Sequence, residues 1–186
     1  MGATEKKQDS AITTVGDIAS SRKCLLFYPE QFTKIILKTM QNTRIGCAGV
    51  VDADGNLVGM LTEREILRRI FALVADSTIN HANIGKHIDD MIVHDVMIPT
   101  PKVLDADTDI EQALETMTEL GFRFMPVVNS HNRRKPIGLV DEREVAIHVK
   151  NRLDRIKCEA ADKEQLLYGL LREPYGVGVC CQTKSN

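Results

Sequence analysis

No stretch of this 186-residue chain approaches the ~20 consecutive apolar residues that a membrane-spanning helix requires. The opening MGATEKKQDS is polar and lacks the apolar core of a signal peptide. Met1-Gly2 matches the start of a myristoylation signal, but Lys6 stands where that signal wants Ser or Thr. An excess of one charge is missing too. With 24 Lys+Arg against 26 Asp+Glu the net charge is −2, and no basic stripe is present to hold nucleic acid. The five cysteines are odd in number and contain no C-x-x-C pair, which excludes a zinc site or a disulfide framework. Adjacent Cys180 and Cys181 leave a redox role open, with buried or incidental thiols the plainer expectation. A soluble, cytoplasmic protein is expected.

Catalytic signatures are absent as well. The histidines His81, His87, His94, His131 and His148 form no H-x-x-x-H or H-E-x-x-H arrangement. There is no Walker loop and no G-x-G-x-x-G. The acidic run D-A-D-T-D (105–109) fails as a calcium loop, because Ile110 and Thr116 replace the required Gly and Glu. It reads instead as a helix start, with Thr108 as N-cap and Glu111 completing a capping box. No catalytic residues and no metal site are expected, and the protein is not expected to be an enzyme.

What is present is a repeat. G-M-L-T-E-R-E-I-L (59–67) returns as G-L-V-D-E-R-E-V-A (138–146). Around the first copy, CLLFY (24–28) predicts a strand and EQFTKIILKTMQN (30–42) a helix with Phe32, Ile35, Ile36 and Met40 on one face. Asp54-Gly55, between two apolar runs, predicts a hairpin, and a helix from Thr62 carries Ile66, Leu67, Ile70, Phe71 and Val74 on one side. The second copy follows the same plan: strand PKVL (101–104), helix IEQALETMTEL (110–120), hairpin strands FMPVVN (124–129) and KPIGLV (135–140), then a helix from Asp141. The fold class is therefore α+β with α/β-type layers, built from two β-α-β-β-α repeats. The expected organisation is a flexible tail (1–12), a first repeat (13–78), a polar linker (79–91), a second repeat (92–150), a helical extension (151–172) and a flexible tail (173–186). In the extension Leu166, Leu167, Leu170 and Leu171 form an apolar stripe that neither repeat requires.

Thr62-x-x-Glu65 and Asp141-x-x-Glu144 both suit a helix N-cap worth ~1 kcal/mol. A helix start after a strand is equally a place where backbone N–H groups meet an anion, and the two readings stay open. Glu63-Arg64 and Glu142-Arg143 read as solvated first-turn residues. Arg123, just before a strand, either complements a helix dipole or offers its planar fork to a phosphate.

V-V-D-A-D-G-N-L-V-G-M-L-T-E-R-E-I-L, H-D-V-M-I-P-T-P-K-V-L, G-F-R-F-M-P-V-V and P-I-G-L-V-D-E-R-E-V together resemble a tandem pair of CBS domains, a Bateman module, over residues 14 to 150. The resemblance implies two repeats packed about a pseudo-twofold axis, with clefts between them for AMP, ADP, ATP, NAD(H) or S-adenosylmethionine. It implies a homodimer, regulation of an enzyme or transporter, and no required cofactor. The family's ribose motif falls on Thr62 with Glu65 and on Asp141 with Glu144, where Glu replaces the family's Asp and Asp141 replaces its hydroxyl. The base-contacting segments fall on Ser21, Lys23 and Leu25 with Gly46, Cys47 and Ala48, and on Thr100, Lys102 and Val103 with Arg123, Phe124, Met125 and Pro126. Gly49 departs from the family's Pro, which Pro126 keeps. The expected function is a non-catalytic adenine-nucleotide sensor, with Thr62 and Glu65 at the ribose and Arg123 near the phosphates. A ligand-free dimeric scaffold for protein–protein interaction is the second reading, favoured by the two Glu replacements and by Asp141.

Overall fold

The computed structural model describes residues 12–21, 24–76 and 84–171, with side chains to Tyr168. Both terminal tails, Lys23, His81 and the Cys180-Cys181 pair lie outside the described residues. The chain divides into two compact units, residues 1–149 and 150–186.

In the first unit the elements run α1 (Val15–Ser20), β1 (Leu26–Phe27), α2 (Thr33–Thr43), β2 (Cys47–Val51), β3 (Leu57–Thr62), α3 (Glu63–Ala75), α4 (Ile84–Asp90), a 3₁₀ turn (Val93–Asp95), β4 (Ile98–Pro99), β5 (Leu104–Asp105), α5 (Ile110–Leu120), β6 (Phe124–Asn129), β7 (Asn132–Asp141) and the start of α6 (Glu142–Leu171). Two sheets result, β1-β2-β3-β4 and β5-β6-β7, in which β1 and β5 run parallel to their neighbours and the hairpins are antiparallel. The tight first hairpin is held at Asp52, whose carboxylate accepts the Asn56 backbone N–H at 2.8 Å, while Gly55 takes the positive φ of 73° that the turn demands. That N–H, first among several donors, holds the Asp52 carboxyl below its usual range.

The repeats are not self-contained. The segment before each repeat crosses to complete the other. Val15, Ile18 and Ala19 of α1 are buried with Leu104, Ile110, Met117, Met125, Val127, Val140 and Val145. Reciprocally, Met91, Val93 and Val96 are buried with Ile36, Met40, Val50, Leu61 and Ile66. Main-chain bonds seal both exchanges. Val15 N–H donates to Thr108 O at 3.0 Å and Ile110 N–H to Thr13 O at 3.1 Å, while Val93 N–H donates to Gln31 O at 2.9 Å and Thr33 N–H to Met91 O at 2.8 Å. Each arm adds a bridge at an equivalent place, Thr14 to Asp109 and Phe32 to Ile92. Glycine makes the close approach possible. A β-carbon on Gly138 would sit 2.7 Å from the Ala19 carbonyl oxygen, and one on Gly59 would sit 2.5 Å from the Met97 sulfur and 3.2 Å from the Ile98 carbonyl oxygen. The Gly59–Gly138 match in the repeat is thus a packing requirement of the exchanged arms.

Several expectations shift on contact with the structure. β1 and β5 are two-residue strands rather than the longer runs predicted. α2 buries Ile36 and Met40, but Phe32 and Ile35 are exposed. On α3 only Ile66 is buried; Leu67, Phe71 and Val74 are exposed, because the covering arm reaches one flank of the apolar face. Asp109, not Thr108, caps α5: its Oδ1 accepts the Glu111 N–H at 2.9 Å. The linker 79–91 carries α4, which packs on α2 and α3. Gly49, where Pro was expected, uses its N–H to bond the Leu25 carbonyl at 2.9 Å, a bond proline lacks.

In the second unit α6 continues from Lys150 to Leu171, and every described side chain except that of half-buried Arg152 is exposed. Among the described residues no helix is long and apolar enough to cross a membrane.

Two outcomes follow from the exchanged arms. Gly138→Ala is expected to cost about 1–3 kcal/mol in chemical denaturation, because it meets backbone, while Gly59→Ala costs less, because the Met97 side chain can swing aside. Asp17 caps α1 by accepting the Thr14 N–H at 3.1 Å and the Thr13 N–H at 3.2 Å, and those bonds, with Thr14 first, hold its carboxyl below the usual range. Its contribution is therefore complete above the unfolded value of ~4 and disappears as pH falls through the lower folded value. Urea melts of Asp17→Asn should show lower stability at neutral pH and a shallower loss on acidification than the unaltered chain.

Candidate functional site

The sheets meet where β2 and β3 face β7. A cleft of about 370 Å³ opens there, walled by Ala19 at the end of α1, Cys24 and Leu25 ahead of β1, Thr43 to Cys47 between α2 and β2, Arg123 and Phe124 at the start of β6, and Leu139 to Asp141 at the end of β7. Both repeats and one exchanged arm therefore build it.

Local sequence explains the placement of each wall. α2 ends with Arg44 in the left-handed conformation (φ 57°), whose N–H bonds back to Gln41 and Met40, and the chain then turns into β2. At the equivalent end of α5 stands Gly121 (φ 64°). A side chain is thus carried at a position where glycine is the usual occupant, and it is a guanidinium on the cleft wall. Opposite it, the Arg123 backbone carbonyl accepts the Glu142 N–H at 2.8 Å, as the Gly46 carbonyl accepts the Glu63 N–H at 3.2 Å. These paired bonds tie the first turns of α6 and α3 to the strands that flank the cleft.

The charges in the cleft are arranged in opposition. Arg123 stacks over the Phe124 ring with 4.8 Å to its centroid and stands 3.6 Å from the Asp141 carboxylate. The other Asp141 oxygen accepts the Arg143 N–H at 2.9 Å, so Asp141 caps α6 with its own charge. Its partner in the cap is Arg143, not Glu144 as the sequence spacing suggests. Burial pushes the Cys24 thiol up, which keeps it protonated and weakly nucleophilic at neutral pH. Among the described residues no group of three or more His, Cys, Asp or Glu side chains is placed to hold a metal. The cleft is suited to a flat, partly apolar molecule with an anionic end, which Arg44 and Arg123 can meet.

Of the residues singled out from sequence, Leu25, Gly46, Cys47, Arg123, Phe124 and Asp141 line this cleft together. Thr62, Glu65, Thr100, Lys102, Val103 and Glu144 do not. Thr62 accepts the Glu65 N–H at 3.3 Å as the cap of α3, and Glu65 pairs with Arg68 at 3.4 Å. Thr100, at a positive φ of 45°, donates its N–H to Val58 O at 3.1 Å. Ala48, Met125 and Pro126 are buried in their strands, and exposed Ser21 ends α1 with its hydroxyl on Ile18 O at 2.7 Å. Glu144 is half-buried in the first turn of α6. Arg123 therefore stands with Asp141 rather than with Thr62 and Glu65. Sequence reasoning missed Thr43, Arg44 and Ile45, although aligning T-R-I-G-C with L-G-F-R-F would have marked Arg44 as a departure from glycine.

Comparison with known proteins agrees with this architecture. The profile of the CBS domain matches residues 15–72 and 93–151. Hypoxic response protein 1 of Mycobacterium tuberculosis is 29% identical over 138 residues, which cover 74% of this chain and 86% of that protein. The crystal structure of MJ1225 from Methanocaldococcus jannaschii aligns with a TM-score of 0.63 at 25% identity, over 76% of this chain and 50% of that one. The crystal structure of CBSX2 in complex with AMP aligns with a TM-score of 0.58 at 24% identity, over 76% of this chain and 98% of that one. The chain belongs to the CBS-domain family and carries the domain as a tandem pair.

Proposed function

We propose that the pair is a non-catalytic, cytoplasmic regulatory module that binds an adenine nucleotide (AMP, ADP, ATP or NAD(H)) in the cleft between its repeats and acts as a homodimer on an enzyme or transporter. The observation that carries this reading is the cleft of about 370 Å³, which combines an apolar wall with the two guanidinium groups of Arg44 and Arg123. That volume lies within the roughly 300–1,000 Å³ typical of small-molecule sites. The AMP complex of CBSX2 supports the ligand class. Phe124 offers a ring face to a base, and Arg123 above it offers charge to a phosphate. Binding that draws Arg123 from Asp141 toward a phosphate would change the charge beside the first turn of α6, which Asp141 caps. This couples the ligand to a helix. The exposed Leu67, Phe71 and Val74 of α3 support the homodimer, since they form an apolar face on one helix.

The ion pair also favours a second reading, the ligand-free scaffold, because Asp141 already engages the guanidinium that a phosphate would need.

Calorimetry and thermal shift with AMP, ATP, NADH and S-adenosylmethionine separate the two. Ligand at about a hundred times its Kd should add ~2.7 kcal/mol of stability, and no shift with any of them at millimolar concentration would sink the sensor reading. Asp141→Asn is expected to tighten AMP roughly threefold to tenfold by releasing Arg123, while adenosine binding stays the same. Phe71→Asp should lower self-association in sedimentation equilibrium; an unchanged mass would remove the homodimer.

A further inference from the structure

The second unit presents a physical problem. A single helix shorter than about 12–15 residues is marginal in water, and longer ones still derive most of their stability from packing an apolar face. From Lys150 to Tyr168, α6 exposes Leu153 by 46%, Ile156 by 52% and Leu167 by 57%. Leu153, Ile156, Ala160, Lys163 and Leu167 follow one another at alternating steps of three and four, the spacing that keeps one seam facing a partner helix. Lys163 is the single charged residue in that seam.

The charges beside the seam identify the occupant and its direction. Lys157 and Glu164 flank the seam on one side, and Arg152 and Glu159 on the other. If two copies ran parallel and in register, Arg152 would face Lys157 of the second copy and Glu159 would face Glu164, so all the flanking pairs would be like-charged. Antiparallel pairing with Ile156 opposite Leu167 removes both like-charged contacts. Lys157 then faces Glu164 of the second copy, symmetrically on both sides of the dyad, and small Ala160 faces Lys163, whose aliphatic stem fills the space while its ammonium reaches water. We infer that residues 150–168 of α6 pair antiparallel with the same helix of a second copy. The inference needs the second copy of the proposed homodimer but does not depend on any nucleotide.

The test is sedimentation equilibrium of the full chain carrying charge reversals at exposed positions, which leave folding intact. Lys157→Glu and Glu164→Lys are each expected to weaken association about threefold to tenfold, and the double variant to restore it to within about twofold. Arg155→Glu, which changes net charge equally but lies off the seam, should leave association unchanged. Ile156→Asp should weaken it by at least roughly tenfold and lower helix content by circular dichroism. Tighter association in either single variant would establish a parallel pair and overturn the proposal. So would a monomeric full chain, or association unchanged by Ile156→Asp. An association lost with Phe71→Asp but indifferent to all α6 variants would keep the homodimer and remove this pairing.

Discussion

The reciprocal exchange of arms is the constraint on which the rest of the first unit depends. Each repeat provides a short sheet and a covering helix or two, too little to bury an apolar face alone. α1 supplies the missing wall of the second repeat, and the segment from Met91 to Val96 supplies that of the first. Because both arms cross, neither core is complete without the other, and each arm is held in the opposite repeat by main-chain bonds as well as by side-chain packing. The matched glycines at 59 and 138 belong to this joint: they let a foreign segment lie against a hairpin strand at a distance a β-carbon would crowd.

The cleft follows from the same joint. α1 ends beside β7, so Ala19 and the residues just ahead of β1 become its wall. Its electrostatics are unusual for a helix start facing an opening. The positive end of α6 is satisfied from within by Asp141, which leaves the attraction of an anion to guanidinium groups on flexible stems. A site built this way has one of its two guanidinium groups paired before a ligand arrives, and a ligand at Arg123 would have to exchange one carboxylate for another anion. Selectivity would then depend on the difference between those two anions.

How much of this was legible in the sequence varies with the range of the interactions. The hairpins, the caps at Thr62 and Asp141 and the duplicated plan are local, and the nine-residue phrases record them directly. The exchange was not legible: α1 is six residues long, too short for Val15, Ile18 and Ala19 to show a period, and nothing local says which repeat they cover. For the same reason Leu67 and Phe71 read as core: periodicity marks an apolar face, and only the partner's extent decides how much of it is covered. In the cleft, Gly46, Arg123 and Asp141 could be singled out by family resemblance. Arg44 lies outside the segments the resemblance marks, and only its alignment with Gly121 in the second repeat hints at the left-handed helix end that places it on the wall. The cap partner of Asp141 shifted from Glu144 to Arg143 for an equally local reason, the shorter reach of an Asp side chain to the N–H two residues on.

The crossing of α1 also sets an order of events for a chain made from its amino terminus. Val15, Ile18 and Ala19 leave the ribosome early, yet the surfaces they cover, from Leu104 through Val145, are synthesised much later. The first arm therefore has no permanent home until nearly the whole of the first unit exists. The second arm, by contrast, emerges after the β2–β3 hairpin it completes and can dock at once. Nascent chains thus pass through an interval in which one half is closed and the other half's key is already waiting, a situation in which a neighbouring nascent chain of the same kind could receive it instead.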